Sequence, residues 1–187
     1  VVETSLTSSL ISLMAYLSAE YFVTDKTPKK SGNDHPILSP YGLFKTKDGN
    51  IAIAQANDKL CKIFLRTLNL EYLLEDDLYK TNSLRMINRN KLNEIINQTT
   101  ELNTTDYWIK KLNESGCPAG KVLDMKEALN DQLVEDTDMV ITSDGPDDRK
   151  IKMTGFPVKL SDTPARLFRS PPKLGEHTEE ILSKIKN

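Results

Sequence analysis

Apolar residues recur at threes and fours near the start of the chain, where Leu6, Leu10, Leu13, Met14, Leu17 and Tyr21 share one face of a helix from Ser5 to about Phe22. Rising 1.5 Å per residue, that element makes a rod of about 30 Å, long enough to bridge two modules. The periodicity then stops. Asp25 to Pro40 is rich in Lys, Gly, Pro, Asn and Ser, and Pro28, Pro36 and Pro40 bar regular helix, so this stretch reads as a long loop. Gly42–Thr46 and Asn50–Ala54 follow as two short strands joined at Lys47-Asp48-Gly49, since Asp-Gly favours the φ > 0 geometry of a tight hairpin.

Three helical patterns come next. Asn57 or Asp58 caps one that turns Leu60, Ile63, Phe64, Leu65 and Leu68 inward. A second runs from about Leu84 to Thr99. A third, capped by Thr104 or Thr105, carries Tyr107, Trp108, Ile109 and Leu112 until Gly116 stops it. Asp124 caps a short helix over Met125 to Leu129, and Asp138–Thr142 pairs with Lys150–Met153 around Asp144-Gly145-Pro146. After Gly155, Pro157, Pro164, Pro171 and Pro172 keep the chain extended until Thr178 opens a final helix, with Glu179 and Glu180 in its positive first turn. The expected fold is α+β: a linker helix over 1–27, a small domain over 28–154, and over 155–187 an extended segment and helix that lie across another body.

Composition narrows the class. The 187 residues are 38% apolar and 28% charged, far from the composition of disordered chains, and a fold of this size buries about two thirds of its unfolded surface. The 25 basic and 27 acidic residues nearly cancel, and no Lys/Arg stripe interleaves with aromatics, which argues against a nucleic-acid partner. Apolar stretches fall short of the roughly 18 residues that span a bilayer, and no leader pattern opens the chain, so the expectation is a cytoplasmic protein without a membrane partner. Cys61 and Cys117 lack CxxC spacing or a nearby His pair and read as two reduced thiols with no metal role.

Candidate chemistry is sparse. No HExxH, GxSxG, GxxxxGK[ST] or GxGxxG pattern occurs. His35, in the Gly/Pro loop, can serve as acid, base or hydrogen-bond donor, or can simply brace the loop; His177 reads as an anchor at the final helix. Lys26, Lys29 and Lys30 precede the Ser31-Gly32-Asn33 turn. A solvated face is the ordinary reading of such a cluster, and Lys29 and Lys30 are the candidates for contact with a phosphate. Cys117, between Gly116 and Pro118, marks a helix stop and a shaped turn.

Several short strings occur in one order: Gly32-Asn33 with His35-Pro36 and Pro40-Tyr41-Gly42, Lys47-Asp48-Gly49, Asn57-Asp58, Tyr79-Lys80-Thr81-Asn82 with Arg85 and Asn88-Arg89, Gly116 to Gly120, Gly155-Phe156-Pro157, and Pro171 to Thr178. In this the chain resembles the C-terminal half of the family III coenzyme A transferases, and it is most similar to the branch that moves CoA between succinyl-CoA and dicarboxylates such as glutarate. The resemblance implies a small domain of an α/β enzyme, with a coenzyme A thioester as substrate, a carboxylic acid as acceptor and no tightly bound cofactor. It implies an aspartate nucleophile that attacks the thioester to give a mixed anhydride and then an enzyme-bound CoA thioester. That aspartate precedes the point matching Val1, so no catalytic residue is expected in this chain, which opens without a methionine and reads as the back portion of a longer polypeptide. Gly32, Asn33, Asp34, His35 and Tyr41 would form a loop that closes over the acyl-enzyme. The implied partner is a second copy, in an interlocked homodimer, or an N-terminal half. A CoA-thioester racemase of the same fold and a catalytically empty interaction module are the alternatives.

Overall fold

Strands β1 (Tyr41–Thr46) and β2 (Gly49–Ala54) pair antiparallel from Tyr41↔Ala54 to Thr46↔Gly49, and β3 (Ala119–Lys121) adds to the other side of β2. This sheet belongs to the first of two compact units, Val1–Val122; the second is Leu123–Asn187. The computed structural model describes residues 3–145 and 149–185. Alternation along the strands sends Phe44, Ile51 and Ile53 into the core and leaves Leu43, Ala52 and Ala54 half-buried on the other face.

Helix α3 (Asp58–Thr67) is capped by Asn57, whose side chain accepts from the Leu60 N–H, and buries Cys61, Phe64 and Leu65. The 3-10 turn Glu71–Leu74 tucks Leu73 beneath it. Helix α6 (Thr105–Glu114) is capped by Thr104, buries Trp108 and Leu112, and gives way to Gly116 at φ +80°. Trp108 Nε1 donates to the Thr100 carbonyl at 2.7 Å, which lets the indole sit in the core with its polar atom satisfied.

Four sequence expectations need correction. The amino-terminal rod is two helices, α1 (Leu6–Leu13) and α2 (Tyr16–Thr24), turned 74° at a break where Ala15 takes φ +44°. Neither helix buries a residue, so tertiary packing, the main support of helices this short, does not hold them in line. Among the described residues no single helix is long and apolar enough to cross a membrane, although α1 and α2 together have the length and composition. The expected Leu84–Thr99 helix is likewise divided, into α4 (Asn82–Ile87) and α5 (Arg89–Thr100). At the break, Asn88 turns its amide back to the Leu78 and Leu84 carbonyls, a local alternative to the helical ladder.

The β1–β2 turn needs neither Asp48 nor Gly49 at positive φ. Instead Asp48 Oδ1 accepts from Thr105 N at 2.7 Å and from the Thr105 and Thr46 hydroxyls, tying the turn to the start of α6. Those bonds, the Thr105 N–H foremost, hold the carboxyl below its usual range of about 3.8. Finally, β3 itself was not expected.

In the second unit, α7 (Met125–Leu129) begins at Asp124 with a reciprocal capping box to Glu127, and α8 (Gln132–Asp136) follows. Strands β4 (Val140–Asp144) and β5 (Lys150–Thr154) form the second hairpin; Pro146, expected in its turn, lies outside the described residues. No regular element occurs from Gly155 to His177, as the prolines predict, and α9 (Thr178–Ile185) closes the described chain, with Glu180 paired to Arg169 and Lys184.

Candidate functional site

The loop between α2 and β1 is built on turn chemistry. Gly32 at φ +62° reverses the chain, and the Asp34 N–H closes the turn onto the Ser31 carbonyl at 3.1 Å. Gly42 permits the loop to lie against β1: a Cβ there would stand 2.5 Å from Asp34 Oδ1 and 3.1 Å from the Asn33 carbonyl oxygen. The His35 N–H donates to the Tyr41 carbonyl at 2.8 Å, joining the base of the loop to the strand.

The His35 ring lies between two tyrosines, 5.8 Å from Tyr16 of α2 with the planes 6° apart, and 4.6 Å from Tyr41. Its Nδ1 accepts from the Ile37 N–H at 3.3 Å, which assigns the proton of the neutral ring to Nε2. Desolvation first, and the Arg89 charge second, lower its pKa below the ordinary 6.5. The sign follows: the folded loop favours neutral imidazole, so its stability is complete above pH 6.5 and falls as pH drops through 6.5 toward the depressed value. Exchange protection of the Ile37 and His35 amides is therefore expected to decline on acidification across that window. In His35→Asn, which has no group titrating there, the decline should vanish.

Behind the loop stands a row of polar side chains at helical spacing on α4 and α5. Asn82 accepts from Ser39 N at 3.1 Å and donates to the Ile37 carbonyl at 2.9 Å. Arg85, buried, donates to the carbonyls of Ser39 at 2.6 Å and Tyr79 at 3.1 Å and to Asp58 at 2.5 Å. Arg89 donates to the His35 carbonyl at 2.7 Å, and Asn93 to Asp34 at 3.2 Å. Asn82, Arg85 and Arg89 belong to one of the sequence strings above, with no role legible there. Asn82, Arg85, Arg89 and Asn93 are spaced 3, 4 and 4 apart, so a polar stripe on one helical face was visible, but its partner loop was not.

In front of the loop, the outer face of the sheet is an open groove of about 540 Å³. Its floor is low because Ala52 and Ala54 on β2 and Gly120 on β3 are small, with Ala52 opposite Gly120. Tyr41 and Leu43 rise on the β1 side, Pro118 and Asn113 on the other, and Asn33 of the loop completes the wall. The Asn113 side-chain Oδ1 accepts from Ala119 N at 3.2 Å, fixing β3 to α6. Among the described residues the groove lining carries no carboxylate, thiol, lysine or arginine, and the Tyr41 phenol is its one ionisable group. It can seat an uncharged chain, but it contains no nucleophile. Neighbouring Cys117 is buried, and burial pushes its thiol and that of Cys61 up, which makes both poor nucleophiles at neutral pH.

Gly32, Asn33, Asp34, His35 and Tyr41 thus come together, and Pro118-Ala119-Gly120 joins them from far along the chain. Lys29 and Lys30 lie elsewhere, lining a second cavity beside the first turn of α5. His177 belongs to the second unit, where its backbone carbonyl accepts from Ile181 N at the start of α9. Among the described residues no group of three His, Cys, Asp or Glu side chains could hold a metal ion.

Residues 1–178 match the model of CoA-transferase family III. The chain belongs to that family. It is 32% identical to human succinyl-CoA:glutarate CoA-transferase over 98% of this chain and 42% of that protein, and 28% identical to the succinate–glutarate CoA-transferase of Agrobacterium fabrum over 92% and 43%. A CAIB/BAIF family protein from Brucella suis superposes with a TM-score of 0.72 at 28% identity, covering 93% of this chain and 45% of its own. The chain therefore spans less than half the length of the relatives it matches. For this CoA-transferase family III chain, the α+β architecture agrees with the fold expected from the sequence strings.

Proposed function

We propose that the chain is the C-terminal portion of a CoA-transferase that moves coenzyme A between an acyl-CoA, succinyl-CoA in the branch it most resembles, and a carboxylic acid, through covalent aspartyl intermediates whose nucleophile lies outside this chain. The observation that carries this reading is the groove: strings separated by some 75 positions of sequence, Asn33 to Gly42 and Pro118 to Gly120, line one trough that has a binding shape and no nucleophile. In this reading an aspartate oxygen attacks the thioester carbon and expels the CoA thiolate, leaving a mixed anhydride. The thiolate then attacks the aspartyl carbonyl of that anhydride, releasing the donor acid and forming an aspartyl-CoA thioester. The acceptor carboxylate repeats the two steps in reverse, which regenerates the aspartate and yields the new acyl-CoA.

Each anhydride is open to hydrolysis, so water must be kept out while it exists. The open groove meets that requirement once another body covers it, which the N-terminal half or a second copy would do. Partner chemistry is supported by the amino-terminal helices, on which Leu6, Phe22 and Val23 are 87%, 80% and 87% exposed. We take the partner to be the N-terminal half of the enzyme or a second copy, in the cytoplasm.

Gly120 offers a clean test. A Cβ there meets no atom within 4 Å, so the backbone admits a side chain at this position and Gly120→Leu places one over the groove floor. In an enzyme reassembled by coexpression with an N-terminal portion, this variant is expected to lower kcat/KM for the acceptor by at least about tenfold, an effect of about 1.4 kcal/mol on the barrier, with an unchanged urea midpoint. Unchanged kinetics would remove the groove from the mechanism, and a reassembled pair that stays inactive would favour the empty interaction module.

A further inference from the structure

On the side of the loop away from the groove residues lies a cavity of about 580 Å³, bounded by Pro28 to Ser31, by Glu20 of α2 and by the first turn of α5. Four cationic side chains line it, Lys29, Lys30, Arg89 and Lys91, against the single carboxylate of Glu20. Among the described residues no ion pair engages any of these five. Such a concentration of uncompensated positive charge is unusual in a chain whose net charge is −2. A counter-anion is the simplest complement to it.

Two further features aim at the same ligand. Arg89 lines the cavity while one of its guanidinium nitrogens donates to the carbonyls of His35 and Leu38, which fixes that cation beside it. Helix α5 also begins beside the cavity with no side-chain cap, because the amide of Asn88 is turned back to Leu78 and Leu84. The unpaired first-turn N–H groups and the positive end of the helix dipole therefore add to the side-chain charge.

We propose that this cavity is a binding site for the phosphate group of a small molecule. Lysine ammonium groups, one guanidinium and backbone amides present more donors than the two oxygens of a carboxylate can accept. A phosphate offers three acceptor oxygens and up to two negative charges, and helix termini and lysines are its ordinary ligands. No aromatic ring lines the cavity, so a nucleobase would find no stacking platform, and the recognised group is the phosphate itself. The proposal stands on this cavity alone and holds whether or not the transferase reading does. The same phosphate chemistry could arrive free or as part of a coenzyme A ester.

The test is a titration of the 15N-labelled chain with inorganic pyrophosphate at low salt, following the amides of Arg89, Asn90 and Lys91. Saturable shifts at these amides are expected, weakening as salt is raised. Lys30→Glu should reduce the affinity at least about tenfold and Glu20→Gln should increase it, while Lys126→Glu, the same charge change in the second unit, should leave it unaltered. Because Lys30 is exposed, the rest of the spectrum should report an intact fold. Absence of saturable shifts at the three amides, or equal affinity in Lys30→Glu and Lys126→Glu, would overturn the site. Adding coenzyme A to the pyrophosphate-loaded chain separates the sources: displacement assigns the site to the phosphates of the CoA ester, and persistence of the pyrophosphate shifts assigns it to a free phosphorylated ligand.

Discussion

Arg85→Met is expected to lower the unfolding free energy of the chain by about 3–5 kcal/mol, read as a fall in the urea midpoint of the first unit. Arg85 is 3% exposed, and the methionine would fill most of its volume, so cavity formation is the minor part of the cost. The larger part comes from the carbonyls of Ser39 and Tyr79, which lose their donor in places water reaches poorly. The ion pair with Asp58 contributes less, because the Asp58 side chain is 66% exposed and can be hydrated when the cation is gone. Asp58→Asn should therefore shift the midpoint far less than Arg85→Met. Equal shifts would mean that the arginine serves the ion pair and not the loop. Exchange protection of the Ser39 amide, held by Asn82 next to the lost bond, should fall with the same substitution.

Gly155→Ala is expected to dismantle the β4–β5 hairpin while sparing the first unit. An added Cβ would stand 2.0 Å from the Asp138 carbonyl oxygen and 3.1 Å from Met139 Cα, so only a backbone displacement can make room. Asp138 already holds φ +55°, and the Gly155 N–H donates to the Met139 carbonyl at 2.9 Å, so displacement there breaks the end of the ladder. Overpacking typically costs about 1–3 kcal/mol and more where backbone must move, which places this substitution at or above the top of that range. Hydrogen exchange should show lost protection at Ile141 and Met153 and unchanged protection at Ile51 and Leu92. Retained protection across β4 and β5 would show that the two strands can separate locally without penalty.

The features legible in the sequence are those whose physics is local. Asn57, Thr104 and Asp124 each cap the helix their position announces, because a cap needs only its own side chain and the next turn. Phe64, Leu65, Trp108 and Leu112 are buried as their spacing requires. Where a partner distant in sequence decides the outcome, the reading failed. Periodicity in Leu6 to Tyr21 marks a face but not what supports it, and the rod is bent at Ala15. Asp48-Gly49 announces a turn, yet the turn is held by Thr105, a residue 57 positions away. β3 is three residues long with Gly120 at its centre, too short to alternate visibly, and it pairs with the edge that β2 offers.

The site divides the same way. The resemblance places Gly32, Asn33, Asp34, His35 and Tyr41 in one loop, and in the fold the His35 N–H joins that loop to Tyr41 at the start of β1. What the sequence could not reveal is that Asn82, Arg85, Arg89 and Asn93 hold this loop from behind, across separations of 43 to 59 positions. Nor could it reveal that Lys29 and Lys30 turn toward α5 and away from the groove. One motif is the scaffold of another, and that relation appears only when the chain is folded.

In the transferase we propose, this chain shapes the thioester-exchanging site without supplying the group that forms the covalent bond. Incubation of the purified chain with succinyl-CoA and glutarate, followed by intact-mass spectrometry of the protein and chromatography of the thioesters, tests it directly. An unmodified protein mass and no glutaryl-CoA are expected. A succinyl or coenzyme A adduct on the chain, or turnover by the chain alone, would contradict it.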